Sequence, residues 1–128
     1  MTLFANIFPH AEYVEHSQTT TDATATTVDS ISVAEGQTVL MLVKAIARNS
    51  DGSKQGTFYI AGTFYRNTSG NVIQEGSTYS LYSDITLGST IDVTLVANTT
   101  TQAIDVKVTG ETSETFSWLL GISADILK

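Results

Sequence analysis

Cysteine is absent from this sequence of 128 residues, and proline occurs only once. A chain without cysteine has no disulfide, no thiol nucleophile and no thiolate metal site, and thiol redox switching is excluded with them. A chain of this length buries roughly two-thirds of the surface that its unfolded form exposes. It can therefore build one stable core without a disulfide or a structural zinc ion.

Basic residues are scarce and do not cluster. Six Lys and Arg residues stand against thirteen Asp and Glu residues, and the formal net charge is −7. Binding of nucleic acid requires a surface that neutralises phosphates. We therefore predict no nucleic-acid partner.

Long apolar segments are missing as well. No stretch approaches the ~18 apolar residues that indicate a bilayer-spanning segment. Residues 1–11 carry no basic residue ahead of their apolar ones, which is not the pattern of a secretory signal. The sequence therefore predicts no membrane partner.

Hydroxyl side chains are abundant, since Ser and Thr make up about a quarter of the chain. These side chains compete for backbone hydrogen bonds and disfavour the interior of helices. Apolar residues, mostly β-branched or aromatic, recur at every second position, which is the period of a half-buried strand. Composition and period together predict an all-β protein.

The alternating segments are separated by turns rich in Gly, Asn, Asp and Ser, and about eight strands at this spacing are typical of a sandwich. We predict an antiparallel β-sandwich of jelly-roll type over residues 19–128. Its predicted core consists of Val39, Leu40, Leu42, Val43, Ile46, Phe58, Ile60, Phe64, Val93, Leu95, Ile104, Val106, Val108 and Trp118.

Two features of the strand pattern predict which strands lie next to each other in the sheets. Residues 38–48 are apolar on both faces, so we expect this strand to lie centrally and to be covered on both sides. Residues 91–96 and 104–109 predict a hairpin, and residues 115–127 follow after a second turn. The last third of the chain is thus predicted to form a three-stranded meander.

The first 18 residues are predicted to form an N-terminal arm. Leu3, Phe4, Ile7 and Phe8 concentrate large apolar side chains just before Pro9, ahead of any strand pattern. They have two interpretations: the segment closes the end of its own sandwich, or it leaves the domain and packs on another chain. Four exposed apolar side chains are a liability on a soluble monomer, which favours the second interpretation.

Several motifs carry a resemblance to a known family. They are the TTDATAT segment at residues 20–26, the turn from Arg48 to Gly52, and a closing hairpin with VTG at residues 108–110 followed by Trp118. Over residues 19–127 the chain resembles a β-sandwich module that recurs in structural proteins of tailed bacteriophages, notably the C-terminal domains of tail fibres. The resemblance implies a non-enzymatic protein at the virion surface, commonly a homotrimer.

The arm departs from the tail-fibre pattern, in which a long shaft or adaptor precedes the module. Eighteen extended residues reach at most about 60 Å, which is enough to grip a neighbouring subunit or a capsid surface. We therefore expect a capsid decoration (cement) protein, bound to itself as a homotrimer and to other virion proteins such as the major capsid protein. The alternative is a tail-fibre or receptor-binding module that recognises a host-surface glycan.

Metal-binding and catalytic candidates are weak. His10 and His16 form a cluster with Glu12 and Glu15. In a trimer three copies could meet near the axis around a cation, but two His residues six apart on a strand lie about 20 Å apart. We interpret them as exposed polar residues. The oxygens of residues 49–52 suit a calcium ion, but a plain turn is the better interpretation because the segment has one aspartate.

For hydrolysis, the sequence has no G-x-S-x-G elbow, and both histidines lie within the first sixteen residues. Carboxylate pairs such as Asp84 with Asp92, or Glu111 with Glu114, are interpreted as solvated surface rather than as an acid and base pair. We predict no enzymatic activity, no cofactor and no metal.

Aromatic residues form the remaining candidate site. Tyr59, Tyr65, Tyr79, Tyr82 and Trp118 could stack on a sugar, or they could pack in the core or at a subunit interface. The second role is the ordinary one for Tyr and Trp on strands, because their polar ends tolerate a partly hydrated boundary.

Overall fold

The computed structural model describes residues 11–87 and 89–128 and shows an all-β chain with two antiparallel sheets. The strands of this part of the chain are β1 (Ala11–Thr20), β2 (Ala25–Ser32), β3 (Gln37–Asn49), β4 (Gln55–Arg66), β5 (Val72–Ser80), β6 (Ile85–Leu87), β7 (Asp92–Asn98), β8 (Ala103–Thr109) and β9 (Phe116–Leu127). Within the described residues no helix is long and apolar enough to cross a membrane.

The two sheets differ in size. The larger has the strand order β1-β9-β3-β4-β5, with β6 also pairing with β4, and the smaller has the order β2-β8-β7. One face of each sheet packs against the other, so the predicted antiparallel sandwich is confirmed. Because three strands cover one face of a six-stranded sheet, the other face of the larger sheet has no covering layer within the described residues.

The core lies between the sheets and follows the period of two. In β3, Val39, Val43 and their alternates are buried, whereas the residues between them are exposed or half-buried. Eleven of the predicted core residues are buried: Val39, Val43, Phe58, Ile60, Phe64, Val93, Leu95, Ile104, Val106, Val108 and Trp118.

Three predicted core residues are not core. Leu40 is 42% exposed, Ile46 is 57% exposed, and Leu42 is only half-buried. All three point away from the smaller sheet. The prediction that β3 lies centrally is confirmed by its pairing with β4 and β9, but the prediction that both of its faces are covered is wrong for the described chain, because only one face meets a second layer.

The predicted C-terminal meander is wrong in its third strand. β7 and β8 form the predicted hairpin, but β9 crosses to the larger sheet and lies between β1 and β3. Its buried residues Phe116, Trp118, Leu120 and Ile122 complete the inner face of that sheet. Between β1 and β3, the backbone N–H and C=O groups on both edges of this twelve-residue strand have hydrogen-bonding partners. At the end of the smaller sheet, one edge of the strand would have no partner.

Residues 11–18, which the sequence assigned to the arm, belong to β1. This strand pairs with β9 from Ala11 opposite Asp125 to Thr20 opposite Phe116. Trp118 Nε1 donates a hydrogen bond to Thr20 Oγ1 at 3.0 Å inside the core, which joins the end of β1 to the aromatic cluster. Leu3, Phe4, Ile7 and Phe8 lie outside the described residues, so their packing on another chain stays a prediction.

Candidate interaction surface

The candidate site is the face of the larger sheet that points away from the smaller sheet, called here the outer face. Strand register places on it alternate residues of β1, β9, β3, β4, β5 and β6. Its large apolar side chains that are more than a third exposed are Tyr13, Leu40, Ile46, Ile73, Tyr79, Ile85, Leu87, Leu119 and Leu127.

These side chains form rows that run across the strands. One row contains Ser17, Leu119, Ile46, Thr57 and Ile85, taken from β1, β9, β3, β4 and β6. Directly opposed side chains on one face of a sheet lie about 4.5–5.5 Å apart at Cβ. The row is therefore a continuous strip, and three of its five side chains are large and apolar.

The next row contains Glu15, Gly121, Lys44 and Tyr59 and has a gap at the glycine. Two adjoining hollows of about 190 and 220 Å³ lie here, and both are lined by Tyr13, Lys44 and Gly121. A Cβ atom at Gly121 would lie 2.6 Å from the Tyr13 hydroxyl. Glycine at this position therefore lets the Tyr13 side chain lie across β9.

Three of the four tyrosines predicted for a glycan or an interface come together. Tyr59 and Tyr82 pack edge to face with ring centroids 6.1 Å apart, and Lys44 Nζ lies 5.1 Å from the Tyr59 ring centroid. Tyr79 is 65% exposed and lies opposite Ala61, diagonal to Tyr59. The outer face thus carries a compact aromatic cluster with a cation beside it.

The other two predicted aromatics lie elsewhere. Tyr65 is on the outer face opposite Thr38, six residues along β4 from Tyr59 and therefore about 20 Å away. Trp118 is buried, stacks on Phe58 with centroids 6.1 Å apart and belongs to the core. Tyr13 was missed from the sequence because β1 was not predicted as a strand.

The charges of the outer face nearly balance. Lys44 and Arg48 project from β3, whereas Glu15, Asp125 and Glu75 project from β1, β9 and β5. The chain as a whole carries a net charge of −7. Most of its excess negative charge therefore lies away from this face.

The candidate metal residues do not form a metal site in the described residues. His16 Nε2 lies 2.9 Å from Asp29 Oδ2, and this contact joins β1 of the larger sheet to β2 of the smaller. His10 lies outside the described residues. In residues 11–87 and 89–128 no group of three His, Cys, Asp or Glu side chains is placed to hold a metal ion.

The calcium candidate at residues 49–52 is a hydrogen-bonded turn. Asn49 Oδ1 accepts a bond from the Lys54 backbone N–H at 3.0 Å, and Asp51 Oδ1 accepts one from the Ser53 backbone N–H at 2.8 Å. Hydrogen bonds from Ser53 hold the pKa of Asp51 below its ordinary value. Gly52, at φ +75°, supplies the left-handed conformation that the turn requires.

Glu111 and Glu114, considered as an acid and base pair, both bind Lys54. The Lys54 ammonium donates to Glu111 Oε1 at 2.8 Å and lies 3.1 Å from Glu114 Oε1, and the Thr90 backbone N–H donates to Glu111 Oε2 at 2.7 Å. The bond from Lys54, followed by that from Thr90, holds the pKa of Glu111 below 4.5. Hydrogen bonds to Glu111, followed by those to Glu114, raise the pKa of Lys54 above its ordinary value.

This ion cluster predicts a pH dependence of stability. A carboxyl group whose pKa is lowered by folding stabilises the fold above its unfolded pKa, and the contribution is lost as the pH falls through the folded pKa. Glu111→Gln should therefore lower the urea midpoint at pH 7, and its difference from the parent should shrink as the pH falls below 4.5. Equal midpoints at pH 7 would contradict this role, and the exposed Glu75→Gln serves as the control.

No family model and no curated protein matches this chain. The chain is similar in structure to the tailspike protein of Acinetobacter baumannii phage AM24, with a TM-score of 0.45 and 9% identity over 88% of this chain and 26% of that one.

It is also similar to the tailspike protein of Acinetobacter phage vB_ApiP_P1, with a TM-score of 0.36 and 15% identity over 91% of this chain and 22% of that one. The chain therefore spans about a quarter of the length of these two tailspikes. At these TM-scores, the two similarities do not establish a common fold.

Proposed function

We propose that this chain is a non-enzymatic structural module at the surface of a bacteriophage virion, and specifically a homotrimeric capsid decoration protein held by its N-terminal arm. The observation that carries the proposal is the apolar outer face of the larger sheet, which no strand of the described residues covers. Two features of the sequence also support the proposal: the resemblance of residues 19–127 to virion modules, and the apolar residues of the arm, Leu3, Phe4, Ile7 and Phe8.

The outer face supports a role in assembly because of its extent. Monomeric soluble proteins rarely expose contiguous apolar patches larger than a few hundred Å², and larger ones mark interaction sites. Here the exposed apolar side chains come from five of the six strands of one sheet. Such a surface is suited to a protein that binds other copies of itself and other virion proteins.

The arm supports attachment to a second protein. Each large apolar side chain that it buries contributes about 1.5–3 kcal/mol, whereas ordering the backbone costs about 1–2 kcal/mol for each residue. One arm therefore binds weakly. Three arms on one trimer bind far more strongly, because the second and third attachments are intramolecular.

Deletion of residues 1–9 from the phage-encoded gene tests this function. We expect the full chain to co-purify with particles, and the shortened chain to fold but to be lost from them. Mass spectrometry of purified particles gives the number of copies per particle. Hundreds of copies indicate head decoration, and a few copies in multiples of three indicate a tail appendage.

Absence of the full chain from particles would overturn the proposal. If the shortened chain unfolds, the arm belongs to the core of its own sandwich, and if it stays attached, the sandwich itself carries the binding surface. Circular dichroism of the purified shortened chain separates these two outcomes.

A receptor-binding module is the second candidate, and the aromatic cluster favours it. Tyr59, Tyr79 and Tyr82 expose ring surface beside the Lys44 ammonium, and ring faces of this kind can stack on sugars. Binding of host-surface glycan by the full chain, lost in Tyr79→Ala, would support this candidate over decoration.

A further inference from the structure

Two opposite charges flank the glycine gap on the outer face. Glu15 on β1 and Lys44 on β3 both lie opposite Gly121 of β9, in one row. Strands are about 4.8 Å apart in a sheet, so the backbones at these positions are separated by about 9–10 Å. Each charge has an exposed side chain.

Neither charge is neutralised within the described part of the chain. No described residue forms an ion pair with Glu15 or with Lys44, although other basic side chains such as Lys54 and Arg66 have acidic partners. Lys44 instead lies over the Tyr59 ring. The row therefore presents a carboxylate and an ammonium at a fixed spacing to whatever covers it.

We propose that another copy of this chain covers the outer face, and that Glu15 of each copy meets Lys44 of the next. The inference rests on the proposed function, and it names the surface through which the homotrimer forms. The β1–β9 half of the face, with Tyr13, Glu15 and Leu119, packs on the β3–β4 half of the neighbour, with Leu42, Lys44 and Ile46. Three copies close the ring.

The size of the face fits this occupant. Five strands about 4.8 Å apart and five rows about 6.8 Å apart give a face of about 24 by 34 Å, or about 800 Å². In the ring each copy divides this face between two neighbours, so it buries about 400 Å² against each and about 800 Å² in all, the area that one partner buries in a standard interface. The apolar row of Leu119, Ile46 and Ile85 supplies the centre that such an interface requires.

Charge also permits contact with a second copy of this chain. Two copies with a net charge of −7 repel each other over most of their surfaces. The outer face carries two of the six basic residues of the chain, Lys44 and Arg48. With Glu15, Glu75 and Asp125 the face sums to a charge of −1 of the −7 of the chain, so charge opposes contact through this face only weakly, and the offset of Glu15 from Lys44 sets the register of the two copies.

Charge reversal tests the pairing. Sedimentation velocity should show a trimer for the parent, and Lys44→Glu and Glu15→Lys should each weaken association by about tenfold or more, because like charges then meet. The double variant restores opposite charges and should return to within about threefold of the parent. Lys107→Glu, on the smaller sheet, makes the same change in net charge and should leave association unchanged.

A cysteine pair gives an independent test, because the chain has no cysteine of its own. Positions 15 and 44 are too far apart in one chain for a disulfide, which requires Cα atoms within about 7 Å. After oxidation, the variant with both Glu15→Cys and Lys44→Cys should form covalent oligomers up to a trimer on a non-reducing gel. On the same gel each single-cysteine variant should run at the mass of one chain, because position 15 of one copy meets position 44 of the next and neither position meets its own copy.

Two results would overturn the proposed interface: a folded parent that stays monomeric at about 100 μM, or a trimer whose association is unchanged by both charge reversals. If Lys44→Glu fails to fold by circular dichroism, Leu119→Ser replaces it, since Leu119 is 49% exposed. A dimer that depends on Glu15 and Lys44 supports the interface and overturns the trimer. Incorporation into particles without contact through this face overturns the interface and leaves the virion role intact.

Discussion

Val43→Asp should abolish folding. Val43 is completely buried, and strand register places it between Ile60 of β4 and Ile122 of β9. The change loses about 1.5–3 kcal/mol of apolar burial and adds several kcal/mol for a carboxylate without a partner. The sum is comparable with the whole stability of a small domain, about 5–15 kcal/mol.

Ile46→Asp is the matched control, because it introduces the same charge at an apolar residue of the same strand. Ile46 is 57% exposed on the outer face, so this variant should fold with little loss of stability while associating poorly. Circular dichroism and urea denaturation separate the two variants. A folded Val43→Asp, or an unfolded Ile46→Asp, would mean that the faces of β3 are assigned the wrong way round.

Trp118→Ala should lower the free energy of unfolding by about 3–5 kcal/mol. The Trp118 ring stacks on Phe58 and contacts Phe116, with ring centroids 6.1 and 6.4 Å away. Its removal leaves a cavity among these rings. It also removes the indole N–H that donates a hydrogen bond to the buried Thr20 hydroxyl and so holds the end of β1 to the core.

A second variant separates the loss of the hydrogen bond from the loss of packing, and a third is the control. Trp118→Phe keeps most of the ring and removes the indole N–H, so it should cost about 1–3 kcal/mol, the value for leaving a buried polar group unpaired. Leu119→Ala, at the adjacent exposed position, should cost less than about 1 kcal/mol. Equal midpoints for Trp118→Ala and Leu119→Ala in urea denaturation would contradict the core role of Trp118.

The sequence predicts the sandwich well because its strands alternate clearly. β7 and β8 appear where the pattern places them, and their inward residues Val93, Leu95, Ile104, Val106 and Val108 are buried as predicted. These residues alternate with polar ones, so period two assigns their faces. A turn rich in Asn and Thr joins the two strands and predicts their pairing.

In β3 the same reasoning cannot choose a face. Leu40, Leu42 and Ile46 are as apolar as Val39 and Val43, so hydropathy alone places both sets in the core. Whether one or both of these sets are covered depends on the number of strands left to form a second layer. Because β9 joins the larger sheet between β1 and β3, three strands remain for the smaller sheet. This pairing is a contact between distant segments and leaves no local pattern in the sequence.

The candidate surface was predictable in part. Tyr59, Tyr79 and Tyr82 are conspicuous aromatics in the sequence, and the structure brings them together, while their role in binding a glycan or in an interface stays a prediction. Glu15 and Tyr13 did not, because β1 is a polar segment whose strand character comes from hydrogen bonding to β9 rather than from its own alternation. The pairing of His16 with Asp29 also depends on how the two sheets meet.

The position of β9 has a consequence for the order in which the protein folds during synthesis. β1 is made long before β9, yet β9 is its hydrogen-bonded partner in the described sheet and also fills the place between β1 and β3. The β7–β8 hairpin and the β3–β4 pair can form as they leave the ribosome. β1 cannot pair with β9 until about a hundred further residues have been synthesised. Contacts between such distant segments form slowly. Until β9 emerges, one edge of β3 has no hydrogen-bonding partner, and the inner face of the larger sheet lacks Phe116 and Trp118. Unpaired strand edges and exposed apolar surface make such an intermediate prone to aggregation.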